Sequence, residues 1–301
     1  MLSPGLVRVK GGGRPADIDW MVTDGNEVDS ARALLAEALS VGELGRGEEE
    51  VEHYDELVGR YGGSVDVEVR ESVARALGNK AVALGELGRW DASLATYDEL
   101  LERFGGAAEA ELREQVALAL YNKAGALDRL SRPEEAIAVY TSLDERFGTD
   151  DLAEVRGIVA MGLTRKARVL RDLHRPVDAV AAYDEIVTRF GDADEPALRT
   201  RVARILSWKA YTLYELDQPD VSIETLDELI ARYSDSTEPD IREEVTYALY
   251  TKAATLDRLR RTDEAMHAYY RFLAESRDGE NSANDKRRTT AKSRRQQIAT
   301  R

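Results

Sequence analysis

The chain has 301 residues, a formal net charge of −15, 33% charged against 43% hydrophobic residues, 7 Pro, 22 Gly and no Cys. No apolar run approaches the ~18 residues that a membrane span requires, Met1 to Lys10 lacks an apolar targeting core, and disulfide, thiolate and zinc–thiolate chemistry is excluded. An acidic body repels nucleic-acid phosphates and anionic lipid, a cysteine-free chain suits the cytoplasm, and no cofactor or metal is expected.

In chain order, residues 1–26 carry Gly11-Gly12-Gly13, Pro15 and an isolated Trp20 without helical period, and read as an irregular N-terminal segment. From residue 27 to 277 the chain copies itself every 43 residues: Tyr54, Tyr97, Tyr140 and Tyr183 are spaced by that interval, and the count continues to Leu226 and Tyr269. The same step relates Lys80-Ala81, Lys123-Ala124, Lys166-Ala167, Lys209-Ala210 and Lys252-Ala253. A fixed period of this size means a repeat array, in which each unit buries its apolar face by stacking on its neighbours.

Each period reads as two helices. Between Gly106 and Gly148, Leu112, Val116, Leu120, Ala124 and Leu127 form one helical stripe. Leu130-Ser131-Arg132 interrupts it, Pro133 stands at the start of a second helix, and Gly148 follows Phe147 as its C-terminal cap. The pattern predicts first helices of about 20 to 22 residues and second helices of about 14 or 15. One partial copy begins near Val28, and five full copies follow.

Residues Asn122-Lys123-Ala124 through Leu127, Leu130, Arg132, Glu135-Ala136, Tyr140 and Leu143 resemble a tetratricopeptide repeat, and the match recurs in each copy. A period of 43 also lies in the range of HEAT and armadillo arrays; the small residues Ala81, Ala124, Ala167, Ala210 and Ala253, with the turn, favour the tetratricopeptide resemblance. Units of that family are usually shorter, and the extra residues here lengthen the first helix by about two turns. The resemblance implies an all-α, right-handed superhelical α-solenoid of antiparallel helix pairs. It also implies a concave groove, lined by first helices, that receives a peptide or helix of another protein.

Carrying the groove positions across nominates Tyr121, Arg168, Arg171, Arg204, Tyr211, Tyr214, Tyr247 and Tyr250 as partner-binding residues. The last four tyrosines should lie near one another as aromatic anchors, and the arginines favour an acidic or carboxylate-bearing partner. Other columns read as structural. Arg70, Arg113, Arg156, Arg199 and Arg242 lie near the apolar stripe and call for acids such as Asp98 or Asp184 on a neighbouring second helix. The lysine column flanks the stripe, where long stems can cover apolar neighbours. Glu56–Arg60, Glu99–Arg103, Glu185–Arg189 and Glu228–Arg232 are favourable i,i+4 pairs.

No catalytic arrangement is legible. His53, His174 and His267 occupy different repeat positions, His174 in a turn, and no metal spacing is formed. Residues 278–301 read as a linker and a basic tail, with seven Lys/Arg and no acid from Lys286 to Arg301. Such a tail makes a poor cap, so self-association through the last repeat, or nucleic-acid binding by the tail, are alternatives to the principal expectation. That expectation is a non-catalytic protein–protein interaction scaffold or adaptor.

Overall fold

The computed structural model describes Arg8, residues 27–276 and residues 282–299, and in these segments every regular element is a helix. The first helices are α1 (Glu27–Glu43), α3 (Val67–Glu86), α5 (Ala110–Arg129), α7 (Ala153–Asp172), α9 (Pro196–Glu215) and α11 (Pro239–Arg258). They alternate with the second helices α2 (Gly47–Tyr61), α4 (Trp90–Phe104), α6 (Pro133–Phe147), α8 (Pro176–Phe190), α10 (Pro219–Tyr233) and α12 (Thr262–Glu275); α13 (Ser282–Ala299) follows. From α3 onward the first helices have 20 residues, and the second helices have 15 except for α12 with 14. The fold is an all-α helical repeat. It divides into two compact units, Met1–Val169 and Leu170–Arg301, with the boundary inside α7.

Prolines and arginines set the helix starts. Of the seven prolines, Pro133, Pro176, Pro196, Pro219 and Pro239 open helices, where the missing N–H costs nothing. Arg46, Arg132, Arg175 and Arg261 precede second helices and pair with an acid three residues on: Glu49, Glu135, Asp178 and Glu264. Asp66 caps α3, accepting from the Glu68 and Val69 amides at 3.0 and 3.2 Å.

The turn inside each pair needs one residue with left-handed backbone. Gly45 and Gly88 supply it in the first two pairs, and Ser131, His174, Asp217 and Arg260 hold φ of 57 to 59° at the same place in the rest. Behind it, the Arg89 amide reaches back to the Leu84 carbonyl at 2.8 Å, and Arg132 to Leu127 at 2.9 Å, closing the orphaned carbonyls of the first helix.

The repeated columns form the core. Tyr54, Tyr97, Tyr140, Tyr183, Leu226 and Tyr269 are buried, as is the alanine column. Where the facing small residue is serine, its hydroxyl is satisfied: Ser93 Oγ donates to the Ala81 carbonyl at 2.6 Å, and Ser222 Oγ to the Ala210 carbonyl at 2.7 Å. Ala136, Ala179 and Ala265 need no such partner.

Three sequence expectations change. Arg70, Arg113 and Arg199 pair elsewhere than with Asp98 or Asp184. Arg70 pairs with Glu109 at 2.6 Å, Arg113 with Asp150 at 3.0 Å and Arg199 with Glu238 at 3.6 Å, acids at or just before the start of the next first helix. An acid there also suits the positive end of that helix. Asp98 and Asp184 instead hold the lysine column: Lys80–Asp55, Lys123–Asp98 and Lys209–Asp184 are each 2.5 Å, and Lys252 binds Asp227 likewise. The lysines are therefore inter-repeat ties as well as apolar covers.

Gly148 caps α6 as expected, and the glycines that end these second helices do so with right-handed backbone. Gly62, Gly105, Gly148 and Gly191 have φ between −54 and −61°. An added Cβ would first meet the carbonyl of the preceding turn, 2.5 Å from Val58 O at Gly62, 2.2 Å from Leu101 O at Gly105 and 2.4 Å from Val187 O at Gly191, with the arginines Arg103, Arg146 and Arg232 next. Ser234 ends α10, and one period after Arg232 the chain carries Glu275 in place of arginine.

The basic tail is not a poor cap. Ser282 lies 43 residues after Pro239, so α13 starts in phase with the first helices. It packs on α12, burying Asn284, Arg288, Ala291 and Ile298. Arg288 stands one period after Val245 and donates to the Leu273 carbonyl at 3.1 Å, to the Ser276 carbonyl, and to Ser276 Oγ at 2.7 Å. A cation on these terminal carbonyls is favoured by the negative end of α12. The expectations for residues 1–26 lie outside the described residues, Arg8 excepted.

Candidate partner-binding faces

In the unit Met1–Val169 the nominated groove positions of α5 are covered. Leu118 and Tyr121 of α5 are buried, and the Tyr121 ring packs 6.2 Å from that of Tyr140. Arg165 Nε points to the Tyr121 hydroxyl at 3.4 Å. Arg168 is part-buried and bound to Asp128 at 2.9 Å. Of the two sequence-nominated residues in this unit, Tyr121 is thus buried and Arg168 is paired within the unit. The same side is acidic: burial, then Glu154 and Glu111, hold the Glu114 carboxyl above the usual range, and Glu71 is raised by burial and by Glu111.

In the unit Leu170–Arg301 the corresponding side is open along α9. Arg204 and Tyr211 are seven residues apart, two turns along one face, and Tyr211 is 45% exposed. Arg204 approaches Glu244 of α11 at 3.4 Å, and Ser207 Oγ donates to the other oxygen of that carboxylate at 2.7 Å. The Tyr211 hydroxyl bonds Glu215, which raises its pKa, while Arg171 and Tyr247 lie within electrostatic reach.

The four tyrosines of this unit have different partners. Tyr214 is held by Arg258, whose guanidinium donates to its hydroxyl and lies 5.6 Å from its ring centroid. Tyr247 is covered from the α13 side by Arg287 at 5.0 Å. Tyr250 turns into its own helix pair, its ring 5.3 Å from Phe272 and 6.4 Å from Tyr269. Tyr211 alone of the four counts among the exposed large hydrophobics.

Two clefts, of about 390 and 210 Å³, sit at repeat junctions of the first unit. One is lined by Arg113, Arg146 and Asp150, the other by Arg70, Arg103 and Phe104. Their column arginines are engaged, Arg113 with Asp150 and Arg70 with Glu109. Among the described residues no group of three or more His, Asp or Glu is placed to hold a metal ion, and no helix is long and apolar enough to cross a membrane.

Residues 79–151 match one family model of the tetratricopeptide repeat, and residues 206–236 match another. No curated protein matches the chain. Among solved structures, BtubC (BKLC) from P. vanneervenii superposes with a TM-score of 0.52 at 15% identity, over 83% of this chain and 91% of that one. That likeness is one of fold. MamA (41-end) from Desulfovibrio magneticus RS-1 gives 0.47 at 12% identity, over 72% and 100% of the two chains. A tetratricopeptide repeat protein from Parabacteroides merdae ATCC 43184 gives 0.43 at 11% identity, over 88% and 99%.

Proposed function

We propose, from the premise that this chain is a tetratricopeptide-repeat protein, that it is a non-catalytic scaffold that binds a peptide or helix of another protein through the α9–α11 face. The supporting observation is the exposure of Tyr211 beside Arg204 on a face that is otherwise fastened down. Tyrosine offers a wide amphipathic contact with few torsions to freeze. Arg171, within electrostatic reach of that ring, favours a carboxylate-bearing segment, which would compete with Glu244 for Arg204. Tyr214 and Tyr247, held by Arg258 and Arg287, form the rim, and Tyr250 supports the face from behind. The cysteine-free composition suits work in the cytoplasm.

Nucleic-acid binding by the tail is the weaker reading. Arg287 lies on Tyr247, Arg288 on the end of α12, Arg294 on Asp257 at 2.7 Å and Arg295 on Tyr270 at 5.4 Å, so these cations serve the fold. Self-association through an uncovered last repeat is weakened in the same way, because α13 packs on α12.

The test is retention of native proteins by the tagged chain beside an Arg204→Ala/Tyr211→Ala variant, both checked for unchanged helicity. A protein held by the parent and released by the variant supports the face and identifies the client. Equal retention by both sinks the α9–α11 face as the site.

A further inference from the structure

One residue breaks the small-residue column of the second helices. The positions equivalent to Ser93, Ala136, Ala179, Ser222 and Ala265 carry, in the first pair, Glu50. Its carboxylate is not turned to solvent: the residue is 1% exposed and leans over Gly42, where an added Cβ would stand 2.4 Å from Glu50 Cδ. An ionised carboxylate in such a place is strongly destabilising unless it is paired and hydrogen-bonded.

The partners are present. The Tyr54 hydroxyl donates to Glu50 Oε1 at 3.1 Å, and Arg8 Nη1 donates to the same oxygen at 2.5 Å. The second terminal nitrogen of Arg8 donates to Glu86, near the end of α3. One guanidinium thus spans two carboxylates from different helix pairs, 42 and 78 residues away in sequence. A planar fork with fixed donors fits this bridging; a lysine, as a single point charge, does not.

We propose that Glu50 and Glu86, with Tyr54, form a binding site for an arginine side chain, filled in cis by Arg8. The site recognises guanidinium by charge, by the bridging geometry and by the depth of Glu50. Its occupant, Arg8, is tied at that one residue to the first two helix pairs. An arginine-bearing segment of another chain that reaches the site must displace Arg8 to bind.

The test uses the full chain in three forms, Arg8→Ala, Glu50→Ala and Arg8→Ala/Glu50→Ala, with thermal unfolding as readout. Arg8→Ala should lower the midpoint by roughly 5 °C, because a buried carboxylate loses its counter-charge. Adding Glu50→Ala, the residue this column carries in other copies, should recover most of that loss. Millimolar N-acetyl-argininamide should raise the midpoint of Arg8→Ala by ligand linkage, leave the double variant unmoved, and exceed any effect of N-acetyl-lysinamide. An unchanged midpoint in Arg8→Ala would overturn the site. So would equal responses of the single and double variants to the arginine compound, or equal responses of Arg8→Ala to the two compounds.

Discussion

Lys123 Nζ lies 2.5 Å from Asp98 Oδ1, and this bond ties a first helix to the second helix of the copy before it. The same tie joins Lys80 to Asp55, Lys209 to Asp184 and Lys252 to Asp227, always across 25 residues. At Lys166 the count falls on Thr141, whose hydroxyl donates to its own helix at the Ile137 carbonyl, 2.9 Å away. Thr141→Asp should therefore stabilise the chain by about 0.5 kcal/mol, a small gain because the aspartates are half exposed. Chemical denaturation in low and high salt checks it; the gain should shrink with salt.

The left-handed turn residues give a second prediction. Ser131 and Arg260 carry φ of 57 and 59° with a Cβ, a conformation that glycine adopts without steric penalty. Ser131→Gly and Arg260→Gly should each stabilise by about 0.5 to 1 kcal/mol after the extra unfolded-state entropy is counted. Gly88→Ala should lose about 1 kcal/mol, since φ there is 77°. Equilibrium unfolding of the three variants decides the signs.

Glu114 makes stability depend on pH in an unusual direction. Its carboxyl is raised first by burial and then by Glu154 and Glu111, so folding favours its neutral form. That contribution is fully present below the ordinary carboxylate value of about 4 and is lost as pH rises through the raised folded value. Glu114→Gln should thus raise the unfolding midpoint at neutral pH by ~1–2 °C, discounted for partial exposure. It should leave the midpoint unchanged near pH 4. A gain of equal size at both pH values would show that charge is not the cause.

Arg288 fastens α13 through the last carbonyls of α12. Arg288→Ala leaves those acceptors without their cation, at a cost of about 1–3 kcal/mol. Amide exchange should accelerate across residues 282–299 while α9 and α10 keep their protection. Uniform loss of protection through the second unit would contradict a local fastening.

Tyr211 and Tyr250 should separate stability from binding. Tyr250→Ala removes a ring packed on Phe272 and Tyr269 and should cost about 2 to 4 kcal/mol. Tyr211→Ala, at an exposed position, should change stability by less than ~0.5 kcal/mol. Only the second would then report on partner contact without a folding defect.

Much of the fold is legible in the spacing alone. The stripe from Leu112 to Leu127 and Pro133 place α5 and α6 within a residue or two, because burial and proline act locally. The last first helix is hidden for a physical reason. Where Ile241, Val245 and Ala253 mark α11, α13 carries Asn284, Arg288 and Gln296, and Arg288 enters the core by bonding carbonyls rather than by being apolar. The site is less legible. A helical wheel puts Tyr250 and Tyr211 on one side, but it does not know that the facing helix of the pair brings Phe272 to Tyr250. Tyr121 is lost to the same effect, through Tyr140. Glu50 did carry a signal, a charge in a column of serine and alanine, but its partner is 42 residues away in a segment without period.

The even step between helix starts has a last consequence, for how such a chain changes length. A lysine finds its aspartate 25 residues behind, and Arg70 and Arg199 find their acids 39 residues ahead, so nearly every junction is written in relative coordinates. Excision or duplication of one 43-residue block, cut at equivalent points, would rejoin the helices with their ties in register. A cut that is not a multiple of 43 would misalign the ties that cross its seam. Length in this chain is quantised, and the copies are interchangeable at their seams while remaining distinct on their faces.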